Sequence, residues 1–114
     1  MHNLIEELFE ALGLEPDLDD PALLIDGQWT LCFSESEDGL DMICPLGPLP
    51  QDTHSLQRLL AYNYANPVIL AADAEQTQLL AILRVGPDTR PQDTLQRLNI
   101  LIEAIRQWPP EAAR

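Results

Sequence analysis

The sequence predicts an α+β fold: one domain over residues 1–114, of order α-β-β-β-α-β-β-α, with helices packed on an antiparallel twisted sheet. Three observations predict it. Apolar residues recur at helical spacing in three separate stretches, five strand-like runs fill the intervals, and turn signals such as Asp26-Gly27 and Gly86-Pro87 punctuate them. With 114 residues and 46% hydrophobic content, the chain can bury one core and is not disordered.

The first helix is expected over residues 3–12. Leu4, Ile5, Leu8, Phe9 and Leu12 form its apolar face, and Glu6, Glu7 and Glu10 its wet one. Asn3 with Glu6 resembles a capping box, and Gly13 is a natural stop. Leu14 to Pro21 is acidic and bounded by proline, so it forms a loop. Ala22 to Ile25 is a short apolar strand, and Asp26-Gly27 turns the chain into a second one. There Trp29, Leu31 and Phe33 alternate with Gln28, Thr30, Cys32 and Ser34, so one face is buried. After the acidic turn Glu35 to Gly39, a third strand puts Leu40, Met42, Cys44 and Leu46 on one face, and Pro45, Pro48 and Pro50 are expected to end it.

A second helix is expected from Thr53 to Ala65, with Leu56, Leu59, Leu60, Tyr62 and Tyr64 on one broad face and Asn63 among them. Val68 to Asp73 and Gln78 to Val85 follow as strands. Both are nearly continuously apolar, which implies cover on both faces. The last helix runs from Arg90 to Trp108, with Thr89 and Gln92 as a candidate cap and Pro109-Pro110 as its stop.

Composition excludes several functions. Nineteen acidic residues face six arginines and no lysine, for a net charge of −13. That charge repels phosphate backbones and anionic bilayers, so neither nucleic acid nor membrane is an expected partner. No apolar run reaches the roughly 18 residues of a membrane helix. Cys32 and Cys44 lack metal-ligand spacing and are expected to be free thiols in a reducing cytoplasm. His2 and His54 stand apart from any nucleophile or carboxylate pattern, and there is no glycine-rich phosphate loop. The acidic stretch Glu15 to Asp20 lacks the alternating ligands and glycine of a calcium loop, and Glu35 to Asp41, which has Gly39, lacks the closing glutamate. No cofactor and no enzymatic activity are expected.

What is present is apolar surface in excess. Three helices leave one face of a five-stranded sheet short of cover, and the second helix is apolar around more than a third of its circumference. Asn63 in that band can set register or oligomeric state. The short first helix makes a movable wall beside the sheet. A chain of this kind can pair with itself and still offer grooves and sheet edges to an extended polypeptide.

The opening helix ending in ALGLEP, the stretches MICPLGPLP and LQRLLAYNYANPVILAAD, and the final LIEAIRQWPP, in this order of elements, resemble class I type III secretion chaperones, the CesT-like or Tir-chaperone group. The resemblance covers almost the whole chain. It implies a bacterial cytoplasmic homodimer, independent of ATP, that holds the N-terminal segment of a secreted effector in extended form. It further implies a dimer seam at Leu56, Leu59, Leu60 and Asn63. A client groove would be shaped by Leu4, Ile5, Leu8 and Phe9 with Leu31, Phe33 and Met42. The absence of lysine and the proline-laden connector at Pro45 to Pro50 depart from the group. The rival function is an acidic regulator or decoy that sequesters a basic partner, whose binding would fall steeply with salt.

Overall fold

The computed structural model describes residues 3–17 and 19–109. His2, one of the two histidines considered above, and Pro110 lie outside the described residues. The order of elements is α1 (Leu4–Leu12), β1 (Ala22–Ile25), β2 (Trp29–Ser36), β3 (Gly39–Pro48), α2 (Thr53–Ala65), β4 (Ile69–Ala72), β5 (Gln78–Val85) and α3 (Pro91–Arg106). The strands form one antiparallel sheet in the order β1-β2-β3-β5-β4. This is the α+β architecture the sequence predicts.

Local chemistry accounts for the ends of the elements. Asn3 Oδ1 accepts the Glu6 N–H at 3.0 Å, which caps α1. Gly13 ends it in the left-handed region, at φ 73°, with its N–H on the Glu10 carbonyl. Asp26 and Gly27 both take positive φ, the turn that joins β1 to β2. Gly39 is the most constrained glycine, since a Cβ there would overlap the Val85 carbonyl oxygen.

Two terminal features differ from expectation. Pro45 does not end β3, which continues to Pro48 through an irregularity between Pro45 and Gly47. Its pairing with β2 stops at Ile43, so Pro45 occupies an edge position where a missing N–H costs nothing. Thr89 does not cap α3. Its hydroxyl donates to the Gly86 carbonyl at 2.7 Å, and Arg90 stands at the cap with Pro91 opening the helix.

The core lies on one face of the sheet. Leu31, Phe33, Leu40, Met42, Cys44, Leu79, Ala81, Leu83 and Val85 alternate inward and meet Leu4, Leu8, Phe9, Leu98, Leu101 and Ile105 of α1 and α3. Phe9 and Phe33 pack edge to face with ring centres 5.3 Å apart. The second helix, α2, lies against β4.

Candidate functional site: one open sheet edge and one open sheet face

The two margins of the sheet are built differently. At β4, the Asn63 side chain of α2 accepts the Leu70 N–H at 2.7 Å and donates to the Leu70 carbonyl at 3.0 Å. A single carboxamide thus takes the place of a neighbouring strand at Leu70, and that edge is blocked there. At β1 the Phe33 N–H donates to the Pro21 carbonyl, and Leu23 is opposite Leu31. Antiparallel alternation then turns the backbone of Leu23 and Ile25 toward β2, and that of Ala22 and Leu24 outward. Among the described residues nothing pairs with those outward groups. The Leu24 side chain is 68% exposed.

The face away from the core is apolar too. Register places Ala22, Cys32, Ile43, Ile82 and Ile69 in one row across all five strands. Ile82, beside the central Ile43, is buried although it stands outside the core cluster. The next row toward the β2–β3 turn is polar: Ser34, Asp41 and Arg84, with an Arg84–Asp41 ion pair at 3.2 Å. The excess apolar surface inferred from β4 and β5 is therefore real, and it lies on the side opposite α1 and α3.

Two polar contacts fix the helical side of this edge. The Glu35 carboxylate, at the end of β2, accepts the Leu4 N–H at 2.8 Å and the Ile5 N–H at 3.1 Å, a clamp on the N-terminus of α1. Arg106 donates twice to Asp26, at 2.9 and 3.0 Å, and ties the β1–β2 turn to the end of α3. That contact holds the Asp26 carboxyl below its ordinary pKa, against the opposing effect of burial. Neither tie has a local signal in the sequence. Glu35 sits in sequence at the start of an acidic turn, and its partner lies 31 residues away.

The predicted client-groove residues are all interior. Leu4, Ile5, Leu8, Phe9, Leu31, Phe33 and Met42 are each at most 8% exposed. They lie within the core, and what a ligand could touch on that side is Leu12, Leu23 and Trp29, half buried, and the exposed Leu14, with the exposed Leu24 on the opposite face of β1. Nor is α1 a movable wall. Burying its four large side chains contributes about 6–12 kcal/mol, comparable with the whole stability of a small domain.

The predicted seam residues divide. Leu59 is buried, Leu56 is half buried and Leu60 is 68% exposed. Tyr64, one turn beyond Leu60, is 96% exposed. Asn63 is already satisfied by Leu70, so it needs no partner chain.

The chemistry available is that of binding. Cys32 and Cys44 are free thiols, and burial pushes Cys44 up to about 11, far from a reactive thiolate. No group of three or more metal-capable side chains converges among the described residues. A cavity of about 280 Å³ between α2 and α3 is lined by Tyr62, Val68, Ile100 and Ala104 with Glu103 as its single acid. Among the described residues no helix is long and apolar enough to cross a membrane.

Known proteins of similar sequence and fold bear on this arrangement. Residues 3–113 match the family model for a type III secretion chaperone domain. The chain is 38% identical over 107 residues to chaperone protein SigE of Salmonella typhi, covering 94% of this chain and 95% of that protein. It is 28% identical over 115 residues to chaperone protein IpgE of Shigella flexneri, covering 100% of this chain and 96% of that one. Among solved structures, the heterodimeric ExoU–SpcU complex from the type III secretion system of Pseudomonas aeruginosa superposes with a TM-score of 0.69 at 25% identity. The match covers 93% of this chain and 95% of that one. The ExsC–ExsE complex superposes with a TM-score of 0.73 at 13% identity, covering 96% and 92%, a likeness of fold.

Proposed function

The chain belongs to the type III secretion chaperone family, and on that premise we propose that it seats an extended segment of a secreted effector along the open β1 edge. The family is not enzymatic, and solved neighbours are chaperone complexes, which supports effector binding as the function. The observation that carries the site is the outward backbone of Ala22 and Leu24, next to the apolar row that begins at Ala22. A client strand added there would continue the sheet. Half of its side chains would extend the row of Ala22, Cys32 and Ile43. The other half would lie beside Leu23 and Leu12, under the wall made by α1.

Ordering an unfolded segment costs several kcal/mol, and apolar burial at about 25 cal/mol per Å² exceeds that once several hundred Å² are covered. No nucleotide is required. The place of action is the bacterial cytoplasm, where the client waits before export.

Self-association would use the opposite side of the molecule. Leu60 and Tyr64 supply exposed apolar surface on α2, with Leu56 and Leu59 beneath. Introducing charge by Leu60→Asp is expected to convert a homodimer to monomer in light scattering, with the helical signal retained. A dimer that survives this change places the seam elsewhere.

The function itself is tested by co-expression with N-terminal fragments of the effectors encoded beside it, followed by limited proteolysis. A co-purifying fragment protected from protease, and lost from a Leu24→Pro variant, is expected. Proline at 24 removes only an outward N–H, so the sheet should keep its fold. Protection that is indifferent to Leu24→Pro would remove β1 from the site.

A further inference from the structure

Charge is segregated along this chain. Thirteen of its nineteen acidic residues, and none of its six arginines, fall within residues 1–57. Residues 58–114 hold six of each and are neutral. The acidic segment is α1 with β1, β2 and β3, and the neutral segment is α2, β4, β5 and α3. Because the sheet runs β1-β2-β3-β5-β4, the open edge stands at the acidic end and the closed edge at the neutral end.

Arginines from the neutral half reach acids of the other, Arg106 to Asp26 and Arg84 to Asp41 among them. Glu15, Asp17, Asp19 and Asp20 are all exposed, in the connector that runs directly into β1. Asp20 is close enough to β2 that its charge, after burial, helps to raise the Cys32 thiol. An incoming strand therefore meets two signals side by side: outward hydrogen-bonding groups at Ala22 and Leu24, and a set of carboxylates at the head of the same strand.

We propose that the segment recognised at the β1 edge is a cationic strand, with alternating apolar residues flanked by lysine or arginine that face Glu15, Asp17, Asp19 and Asp20. This rests on the strand-addition reading given above and adds the chemistry of the client. Hydrogen bonds to an open edge are blind to sequence, and apolar rows select only for alternation. The carboxylates supply what those lack, a preference among apolar segments and a faster encounter. They also discourage a second copy from occupying the edge, since two such edges would bring like charges together. The neutral half is left as the face on which two copies can meet without that repulsion.

The test uses labelled peptides of about a dozen residues, long enough to span β1 and its connector. All share one alternating apolar centre and are flanked by lysine, glutamine or glutamate. Fluorescence anisotropy with the intact protein is expected to show the lysine peptide binding about tenfold more tightly than the glutamine one, and the glutamate one more weakly still, in low salt. The gap should narrow at about 300 mM salt without vanishing for the apolar centre. The triple variant Asp17→Lys, Asp19→Lys, Asp20→Lys should reverse the order, and Leu24→Pro should weaken all three peptides alike. Equal affinity for the three, with Leu24→Pro still weakening them, overturns the cationic preference and leaves strand addition standing. A lysine preference that persists in Leu24→Pro overturns the proposal by placing the charge effect away from the edge. Failure of every peptide to bind overturns both.

Discussion

Replacing Glu35 by alanine should loosen α1 from the sheet while leaving the other elements intact. The carboxylate accepts two backbone N–H groups, from Leu4 and Ile5, at 2.8 and 3.1 Å. Hydrogen bonds to a charged group contribute about 1.5–3 kcal/mol each when buried. Glu35 is only half buried, and water replaces part of what is lost, so each bond is discounted to about 0.5–1 kcal/mol. Interaction with the helix dipole adds about 0.3–1 kcal/mol, and the Asn3 cap survives the substitution. The net expectation is about 2 kcal/mol for Glu35→Ala and about 1 kcal/mol for Glu35→Gln, which keeps one acceptor oxygen but not the charge. For a domain of this size that lowers Tm by about 8 °C and about 4 °C respectively. Urea unfolding at one fixed protein concentration measures the difference, because any dimer makes stability concentration-dependent. Amide exchange locates it: the Leu4 and Ile5 amides should lose protection while those of β3 and β5 keep theirs. A Glu35→Ala protein within about 0.5 kcal/mol of the parent, the range of ordinary surface changes, would refute the clamp.

The two thiols should differ in reactivity. Burial, and then the nearby Cys32, raises Cys44 to about 11, above its unfolded value. Its contribution to stability is therefore complete below about pH 8.5 and lost as pH climbs toward the folded value. Alkylation of the native protein at pH 8 should reach half-buried Cys32 first and Cys44 only on unfolding, which peptide mass spectrometry resolves; simultaneous labelling would contradict the packing. Asn63→Ala should cost about 1–3 kcal/mol by leaving the Leu70 backbone unpaired beside α2. It should also raise aggregation in light scattering, and an unaggregated, fully stable Asn63→Ala protein would mean that the edge is closed by something else.

Most of the architecture was legible in the chain because its signals are local. Period-two alternation from Trp29 to Ser34, helical spacing from Leu4 to Leu12, and the Asp26-Gly27 turn each act over a few residues and suffice to place an element. The excess apolar surface could be inferred as well, since Leu80, Ile82 and Ile43 interrupt what would otherwise be a wet face. Position within the site was not legible. Periodicity marks Leu8, Phe9 and Met42 as apolar but cannot say whether a residue faces its own core or a partner, and all three are core. The exposed Leu24 and Leu60 carry the same pattern signal as their buried neighbours. Asn63 was noticed as a polar group in an apolar band, yet its partner is the backbone of β4 in the same chain. Glu35 and Arg106 act across 31 and 80 residues, distances at which spacing holds no information.

The unequal treatment of the two margins limits how large an aggregate the molecule can build. A sheet bare on both sides can string into an endless ribbon, each member templating the next. With Asn63 holding the backbone of Leu70 on one side, a misplaced copy paired strand to strand at the other cannot pass one continuous sheet on through this position. A protein whose task is to stand beside unfolded polypeptide thereby stays out of the fibre that such company invites.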